Sequence, residues 1–501
     1  MQDTPANLSL ASLQHHGSNL LGNIRYFGNS NFTLESNSEY VYFNSAGGGL
    51  AYYPEHWSFP LAVVTALLFL AYLVFLLRTD RLNIGSYLGS LFLFLGVLFT
   101  GAAVTYFSWQ AIKQFNPEYD WLYHGEVYVQ SWYLWGFLFL MLGLYASIYS
   151  WVKQKWLSIE QLLAGSLTIW MLLSLVTAWY LPTASYIFTW PVLMALVGWI
   201  VLGENITKAS WQSSGLLAIS LFPVLFLIPP YIYLVQVMLT TEMMAVSMLL
   251  MLLILGLAWP IIWRITRNQT QFWNSAFVTA ALACFLIASA SSGFDFKHKK
   301  QNDISYIQNL NTKQAYWVSR DHMTDNWTQQ FLNKSPQKGS PPNIRIFRNR
   351  QYLYQAAKYQ NIADPIFKLT ADSSSDSLRF MSIQVSTQTN AIAMRMGWDG
   401  QPTLRQIQVG GKTVLNNSEG NISGSGISFF KDLSEPLTLR FKLSKSGKVP
   451  TLYFTFLKMG LPTHLLENYN PRAPNMMPTA HWNSNTTLWQ AAVNPDTLQK
   501  N

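Results

Sequence analysis

Eight apolar stretches of membrane-spanning length lie between Phe59 and Ala290, and they constrain this chain more than any motif does. A helix needs about 20 apolar residues to cross the hydrocarbon core of a bilayer. Charged residues make up 11% of the 501 residues, whereas soluble domains average about 25%. We therefore predict a polytopic α-helical membrane domain over 58–290, with polar flanks at 1–57 and 291–501. The predicted spans are 58–77, 84–108, 131–149, 160–180, 186–202, 213–238, 242–263 and 273–290.

The charges in the loops between these spans predict their orientation, because positively charged loops stay in the cytoplasm. Basic residues follow each odd-numbered span and are scarce after the even-numbered ones. The basic residues after the odd-numbered spans are Arg78, Arg81, Lys153, Lys155, Lys208, Arg264 and Arg267. With eight spans, this pattern places residues 1–57 and 291–501 together on the extracytoplasmic side of the cell membrane.

The N-terminal flank is predicted to contain one amphipathic helix over residues 9–28, which Gly28-Asn29 would terminate. Its apolar side chains share one face at helical spacing, and they are Leu13, Leu20, Leu21, Ile24 and Phe27. A single amphipathic helix cannot bury its own apolar stripe, so we expect a partner domain to pack on it. Residues 40–54 are expected to form an extended link to the first span, interrupted by Gly47-Gly48-Gly49.

The C-terminal flank has the pattern of a β-rich domain. Apolar and polar residues alternate from Leu437 to Leu443, which is typical of a half-buried strand. Further strand candidates are 378–385, 391–396, 404–409 and 452–456, with turn signals at Asp399-Gly400, Gly410-Gly411 and 444–447. Such short strands favour a β-sandwich-like domain. We also predict a short helix over 325–332 and a loop-like tail after Leu461-Pro462.

No residue pattern points to chemistry within this chain. His15 and His16 are adjacent, so on a helix they point about 100° apart and cannot easily bind one metal ion. The other histidines have no Asp, Glu or Cys at metal-ligand spacing, and they are His56, His124, His298, His322, His464 and His481. We therefore predict no catalytic, metal-binding or cofactor-binding residue. Part of the net charge of +9 comes from Lys and Arg residues in the loops between the spans, where membrane orientation explains them. The charge therefore does not indicate a nucleic-acid partner.

Two alternatives concern the spans and the β-rich flank. Charges inside a membrane mark ion or proton pathways, but the acidic and basic groups of the spans are at their ends, namely Glu160, Glu204, Lys208 and Glu242. Pro229-Pro230 should kink or split the sixth span, and this is the one feature that favours a transporter. The other alternative is a noncatalytic multispan protein whose β-domain binds a partner or a glycan.

Both flanks contain several short segments that together resemble those of one protein family. Asp3–Leu8 reads DTPANL and Ser12–Gly17 reads SLQHHG, followed by Val41-Tyr42-Phe43 and Tyr53-Pro54. In order and spacing they resemble the region after the peptidase core in the membrane-bound zinc exopeptidases of metallopeptidase family twenty-eight, of the vacuolar membrane protease and endoplasmic-reticulum metallopeptidase type. Gly47-Gly48-Gly49 departs from the bulkier residues expected there. The C-terminal flank is similar to bacterial members in the segments 315–319, 325–332, 460–462 and 472–478.

The resemblance implies a role without chemistry for this chain. The family's zinc ligands and its Glu-Glu general base belong to a domain that would precede Asp3, so none of them can be assigned to a residue here. We therefore expect a membrane anchor with a C-terminal β-domain that is inactive by itself and holds no zinc. The peptidase domain would be a preceding or separately encoded piece that packs on residues 9–28, and Met1 would be an internal or truncated start.

Overall fold

The structure is a computed structural model whose residues form two compact units. It describes residues 8–30, 39–45, 47–123, 125–203, 210–266, 269–348, 350–398, 404–416, 426–445 and 449–498. The first unit comprises Met1–Tyr119 and His124–Gly293, and the second comprises Asp120–Tyr123 and Phe294–Asn501. The first unit is mainly helical and the second is rich in strands.

The helical unit confirms the predicted region of long apolar helices. Within the described ranges, seven helices are long and apolar enough to cross a membrane, and an eighth, α6, is apolar but has only 17 residues. Two helices extend beyond the predicted apolar stretches: α3 continues to Phe115 and α4 continues to Lys155. The helices are α1 (Leu10–Asn29), α2 (Ser58–Arg78), α3 (Ile84–Phe115), α4 (Gln130–Lys155), α5 (Ile159–Tyr180), α6 (Tyr186–Leu202), α7 (Trp211–Leu239), α8 (Met244–Thr266) and α9 (Thr270–Ala290).

The short helix α6 runs antiparallel to α7. The Tyr186 hydroxyl, at the start of α6, forms a hydrogen bond with the Tyr231 hydroxyl in the second half of α7. Near the other end of α6, Gly198 lies so close to Ser220 that an added Cβ would be 2.2 Å from the Ser220 Cβ. The start of α6 therefore contacts the second half of α7, and the end of α6 contacts the first half of α7. The two helices thus run in opposite directions.

Glycines bring α3, α5 and α8 into close contact. A Cβ at Gly165 of α5 would lie 2.4 Å from the carbonyl carbon of Ser90 in α3. On the neighbouring residue, the Ser166 hydroxyl donates a hydrogen bond of 3.0 Å to the carbonyl of Gly256 in α8. Close backbone approach at small residues, together with hydrogen bonds between helices, is how helices associate where water does not drive their packing.

Two sequence predictions about this unit are wrong in part. Helix α7 continues through Pro223, Pro229 and Pro230, so the sixth span is not split. The expected extended link is a β-hairpin instead, in which β1 (Tyr40–Asn44) pairs antiparallel with β2 (Leu50–Pro54). The glycines that interrupt the link form its turn, where Gly48 has a φ of 77°. This left-handed conformation suits glycine because it has no Cβ.

The strand-rich unit has two main sheets, which confirms its predicted β character. The larger sheet has the order β13-β10-β15-β17-β4-β5-β7-β6, and the smaller has the order β12-β11-β14-β9-β8. The strands are β3 (Lys300–Asn302), β4 (Ser305–Asn309), β5 (Gln314–Ser319), β6 (Gln337–Gly339), β7 (Tyr352–Ala357), β8 (Ile366–Ser374), β9 (Leu378–Ser386), β10 (Ala393–Trp398), β11 (Leu404–Val409), β12 (Lys412–Asn416), β13 (Ile427–Phe430), β14 (Leu437–Ser444), β15 (Leu452–Met459), β16 (Met476–Pro478) and β17 (Thr486–Val493).

Alternating residues of the two sheets build one shared core. Met394 and Phe454 of the larger sheet belong to the same buried cluster as Ile383 and Phe441 of the smaller sheet. Successive side chains of a strand point to opposite faces, so the intervening residues of β10 and β15 face away from this core. Those residues include Arg395 and Tyr453.

The predicted loop-like tail holds for 461–475, which contain no strand, but is wrong for 486–493, which form β17. Strand β17 lies between β15 and β4 in the larger sheet and runs parallel to β4. Its residues are buried on both faces, with Trp489 fully covered. A strand covered on both sides shows no strict alternation of apolar and polar residues, so the sequence pattern does not reveal it.

The local signals in this unit were partly correct. The predicted helix over 325–332 is shortened to α10 (Gln329–Leu332), because Asp325–Thr328 form the turn that precedes it. Gly410 and Gly411 form the predicted turn between β11 and β12, with φ values of 55° and 84°. Asp399-Gly400 and the second half of the predicted turn at 444–447 lie outside the described residues.

Candidate functional site

Helix α1 exposes the apolar face that the sequence predicts. Its bounds agree with the predicted helix to within one residue, and the Ser9 side chain caps it by accepting a hydrogen bond of 3.2 Å from Ser12 N. All of its residues are exposed. The exposed fractions of the side chains on its apolar face are 53% for Leu13, 62% for Leu20, 47% for Leu21, 58% for Ile24 and 53% for Phe27.

This exposure makes α1 a candidate docking surface. Most helices in proteins are stabilised by packing of their apolar face and not by helix propensity. Burying one Leu, Ile or Phe side chain contributes about 1.5–3 kcal/mol. The five side chains of α1 therefore offer a partner a large part of the stabilisation that the helix lacks. The first five residues of the DTPANL segment lie outside the described residues.

The two adjacent histidines on α1 do not converge. Their ring centroids are 6.2 Å apart with an interplanar angle of 57°. His15 Nε2 is 3.2 Å from Asn19 Nδ2. No group of three or more His, Cys, Asp or Glu that could hold a metal ion occurs among the residues the structure describes. His124 is not one of the described residues.

Charged groups of the helical unit pair with one another near helix ends. Lys113 Nζ is 2.9 Å from Glu242 Oε2, and Arg81 Nη1 is 3.9 Å from Glu160 Oε1. Glu204 and Lys208 lie outside the described residues. The fully buried polar side chains of the described helices are Ser, Thr, Asn and Gln. Several of these bond to backbone carbonyls, as Gln236 does to the carbonyl of Gln130 at 3.1 Å.

A buried charged network surrounds Asp325 in the strand-rich unit. Asp325 Oδ1 accepts hydrogen bonds from Thr328 N at 2.7 Å and from the Thr328 hydroxyl at 2.9 Å. Asp325 Oδ2 is 3.0 Å from Lys300 Nζ and accepts a bond of 3.3 Å from Asn302 Nδ2. Burial favours the protonated form, but these donors outweigh it and hold the pKa of Asp325 below its ordinary value. The carboxylate thus joins β3 to the start of α10.

Two further aspartates, Asp303 and Asp321, connect the segments next to β3 and β5 beside this network. Asp303 N donates to Asp321 Oδ2 at 2.9 Å, and Arg320 N donates to Asp303 Oδ2 at 2.9 Å. Burial raises the pKa of Asp321 to about 7 and also raises the pKa of Asp303. The Asp321 carboxyl can therefore hold a proton near neutral pH. These reciprocal bonds tie Asp303, which directly follows β3, to Arg320 and Asp321, which directly follow β5.

A scan against models of protein families finds no match. A search of curated proteins finds no significant match.

Two groups of charged residues in the strand-rich unit were not predicted from the sequence. One is the Asp325 network, and the other is a group of three arginines, Arg345, Arg348 and Arg395, that line one pocket. The local segment RIFRNR would have indicated a basic turn. Arg395 is distant in sequence from that turn, so only the tertiary structure brings the three together.

Proposed function

We propose that this chain is the membrane anchor and accessory β-domain of a zinc-dependent aminopeptidase-type protein. The observation that carries the proposal is the exposed apolar face of α1. In the resembled family, the helix that carries the SLQHHG-like segment follows the peptidase core. A catalytic domain that packs on α1 would cover side chains that are now about half exposed.

The proposed topology has eight crossings, with the N-terminal flank and a β-sandwich-like C-terminal domain both outside the cytoplasm. Helix α6 has 17 residues, and at 1.5 Å per residue it is about 26 Å long, close to the hydrocarbon thickness of about 30 Å. Its antiparallel packing on α7 supports counting it as a span. An even number of spans puts both flanks on one side, and the bases Arg78, Lys153 and Arg264 identify the other side as cytoplasmic.

A reporter fusion tests this topology. Alkaline phosphatase, which is active only outside the cytoplasm, is expected to be active when fused after Asn501. The same enzyme fused after Lys155 is expected to be inactive, because that loop is basic. A fluorescent protein that folds only in the cytoplasm provides the reverse readout. Fluorescence of the Asn501 fusion would refute the orientation.

The docking role of α1 is tested by isolating the chain from its native membranes in mild detergent. We expect zinc-dependent aminopeptidase activity to co-purify with it, to be lost with a chelator and to return with zinc. Leu20→Asp and Ile24→Asp place a charge on the apolar face, so each should lower the co-purified activity at least tenfold. Ser18→Asp, on the opposite face of the same helix, should leave it unchanged.

Two results would contradict the proposal. One is a wild-type preparation that carries no zinc-dependent aminopeptidase activity. The other is a chain, purified to homogeneity after recombinant expression alone, that itself releases amino acids when zinc is added. The first would favour a noncatalytic membrane protein whose β-domain binds a ligand, an alternative that the arginine-lined pocket supports independently.

A further inference from the structure

A pocket of about 300 Å³ lies on the strand-rich unit, on the face of the larger sheet that points away from the shared core. It is lined by Arg345, Ile346, Arg348, Arg395, Gly397, Tyr453 and Thr455. The lining thus includes three guanidinium groups. Guanidinium groups bind carboxylate and phosphate through paired hydrogen bonds, and such bonds are stronger than those between neutral groups.

The floor of the pocket follows from the pairing of β10 with β15. Arg395 is paired with Thr455, and Gly397 is paired with Tyr453, so all four residues lie on the same face of the sheet. Gly397 has no side chain, which leaves room between Arg395 and Tyr453. The strand register therefore determines both the space above Gly397 and the position of Arg395.

The wall of the pocket is a short 3-10 turn, Arg345–Phe347, which buried amide groups hold in place. The Gln490 side chain accepts a hydrogen bond of 2.8 Å from Arg345 N and donates one of 3.1 Å to the carbonyl of Asn343. Asn309 Nδ2 donates to the same carbonyl at 2.7 Å. Gln490 and Asn309 belong to central strands and are almost fully buried, so they position the turn before any ligand binds.

The Arg345 side chain is itself oriented towards the pocket. Its guanidinium lies 4.5 Å from the ring centroid of Tyr453 and donates a hydrogen bond to the carbonyl of Trp398. Burial lowers the pKa of Arg345, and the nearby charge of Arg348 lowers it further, whereas Tyr453 opposes these effects. The positive charges of the turn are therefore close enough to repel one another, and a bound anion would relieve this repulsion.

We propose that this pocket binds the phosphate group of a phosphate monoester. A carboxylate carries one negative charge, whereas a phosphate monoester carries about −1.5 to −2 at neutral pH and has three oxygens for the surrounding donors. The three arginines match that charge and number of acceptors better. An adjoining pocket of about 420 Å³ shares Arg345, Arg348 and Tyr453, and it provides room for the organic part of the ligand.

The test measures binding of glycerol 3-phosphate to the full chain in maltoside detergent by calorimetry at constant ionic strength. We expect saturable binding that Arg348→Gln and Arg395→Gln each weaken roughly tenfold, because each removes a charge-assisted hydrogen bond. Gly397→Val should block binding while all three arginines remain. Arg405→Gln, an exposed arginine on β11, should have no effect. Unchanged circular dichroism and melting temperature exclude misfolding of each variant.

Two comparisons determine the source and the specificity of the phosphate. Vesicles of phosphatidylcholine with phosphatidic acid are expected to compete with glycerol 3-phosphate if a lipid headgroup is the ligand, and not to compete if a soluble monoester is. Glycerate, the carboxylate analogue, should bind at least tenfold more weakly. The proposal is overturned if neither phosphate source binds saturably, if glycerate binds equally well, or if Arg405→Gln weakens binding as much as Arg395→Gln.

Discussion

Replacing Gly165 with valine is expected to destabilise the helical unit by about 3 kcal/mol or more, because no space exists for a side chain at this position. A Cβ there would lie 2.4 Å from the carbonyl carbon of Ser90, 2.5 Å from its oxygen and 2.7 Å from the nitrogen of Leu91. All three atoms are backbone atoms of α3, so they cannot move aside as a flexible side chain could. The helices α3 and α5 must separate instead.

The separation of α3 and α5 would also affect interactions that depend on their close approach. The Tyr87 hydroxyl of α3 lies 3.0 Å from the Thr168 hydroxyl of α5, and this hydrogen bond should lengthen or break. The expected result is a lower midpoint of unfolding when the full chain in maltoside micelles is titrated with sodium dodecyl sulfate and followed by circular dichroism. Gly165→Ala should have a smaller effect in the same direction.

Gly89→Val is the matched control for this prediction. Gly89 precedes Ser90 on α3, and a Cβ added there meets no atom within 4 Å. Valine is a slightly better helix former than glycine, so the stability should remain within about 1 kcal/mol of the wild type. Equal effects of the two substitutions would mean that general helix propensity, and not the contact of α5 with α3, decides the stability of this unit.

Replacing Asp325 with alanine is expected to destabilise the strand-rich unit by about 3–5 kcal/mol, because it removes one partner of a buried ion pair. Asp325 is 8% exposed, and its loss leaves the ammonium of Lys300, whose side chain is 15% exposed, without its carboxylate. The turn before α10 also loses both hydrogen bonds from Thr328. Hydrogen–deuterium exchange of peptides covering 300–332 measures the local loss of protection.

Two comparisons separate the ion pair from general effects of the substitution. Asp376→Ala removes an exposed aspartate from the turn between β8 and β9 and should change the stability by no more than about 0.5 kcal/mol. Lys300→Ala combined with Asp325→Ala should cost less than the sum of the two single substitutions, because the double variant leaves no unpaired buried charge. Additive effects would show that the pair contributes nothing as a pair.

The pH dependence of this effect has a definite sign. The folded-state pKa of Asp325 is below its ordinary value, so the folded unit favours the ionised carboxyl. Its contribution is present above the ordinary aspartate pKa of about 3.9 and is lost as the pH falls through the lower folded-state value. The difference in stability between wild type and Asp325→Ala should therefore shrink in acid.

Much of the fold follows from local patterns that the sequence displays. The apolar stretches predict the long helices because a membrane-spanning length of apolar residues has few other stable conformations. The alternation around Leu437–Leu443 predicts β14, and the spacing of Leu20 and Ile24 predicts the apolar face of α1. In β14 the local pattern and the final environment agree, because its apolar residues are the buried ones.

Local sequence patterns did not predict other elements of the fold. The hairpin β1–β2 looked like an extended link, because pairing between its strands is not visible in either strand alone. Strand β17 looked like part of a tail, because burial on both faces removes the alternation that marks a strand. The direction of α6 against α7 also depends on contacts between distant residues, namely Tyr186 with Tyr231 and Gly198 with Ser220.

Long apolar helices, an amphipathic N-terminal helix and a strand-rich C-terminal flank can all be predicted from local sequence patterns. Periodicity and length encode these features residue by residue. The tertiary structure alone decided which charges meet: Lys300 with Asp325, and Arg345 with Arg395 around one pocket. Such groups depend on strand register and on contacts between segments far apart in the chain, and one amino-acid sequence read locally contains no record of those contacts.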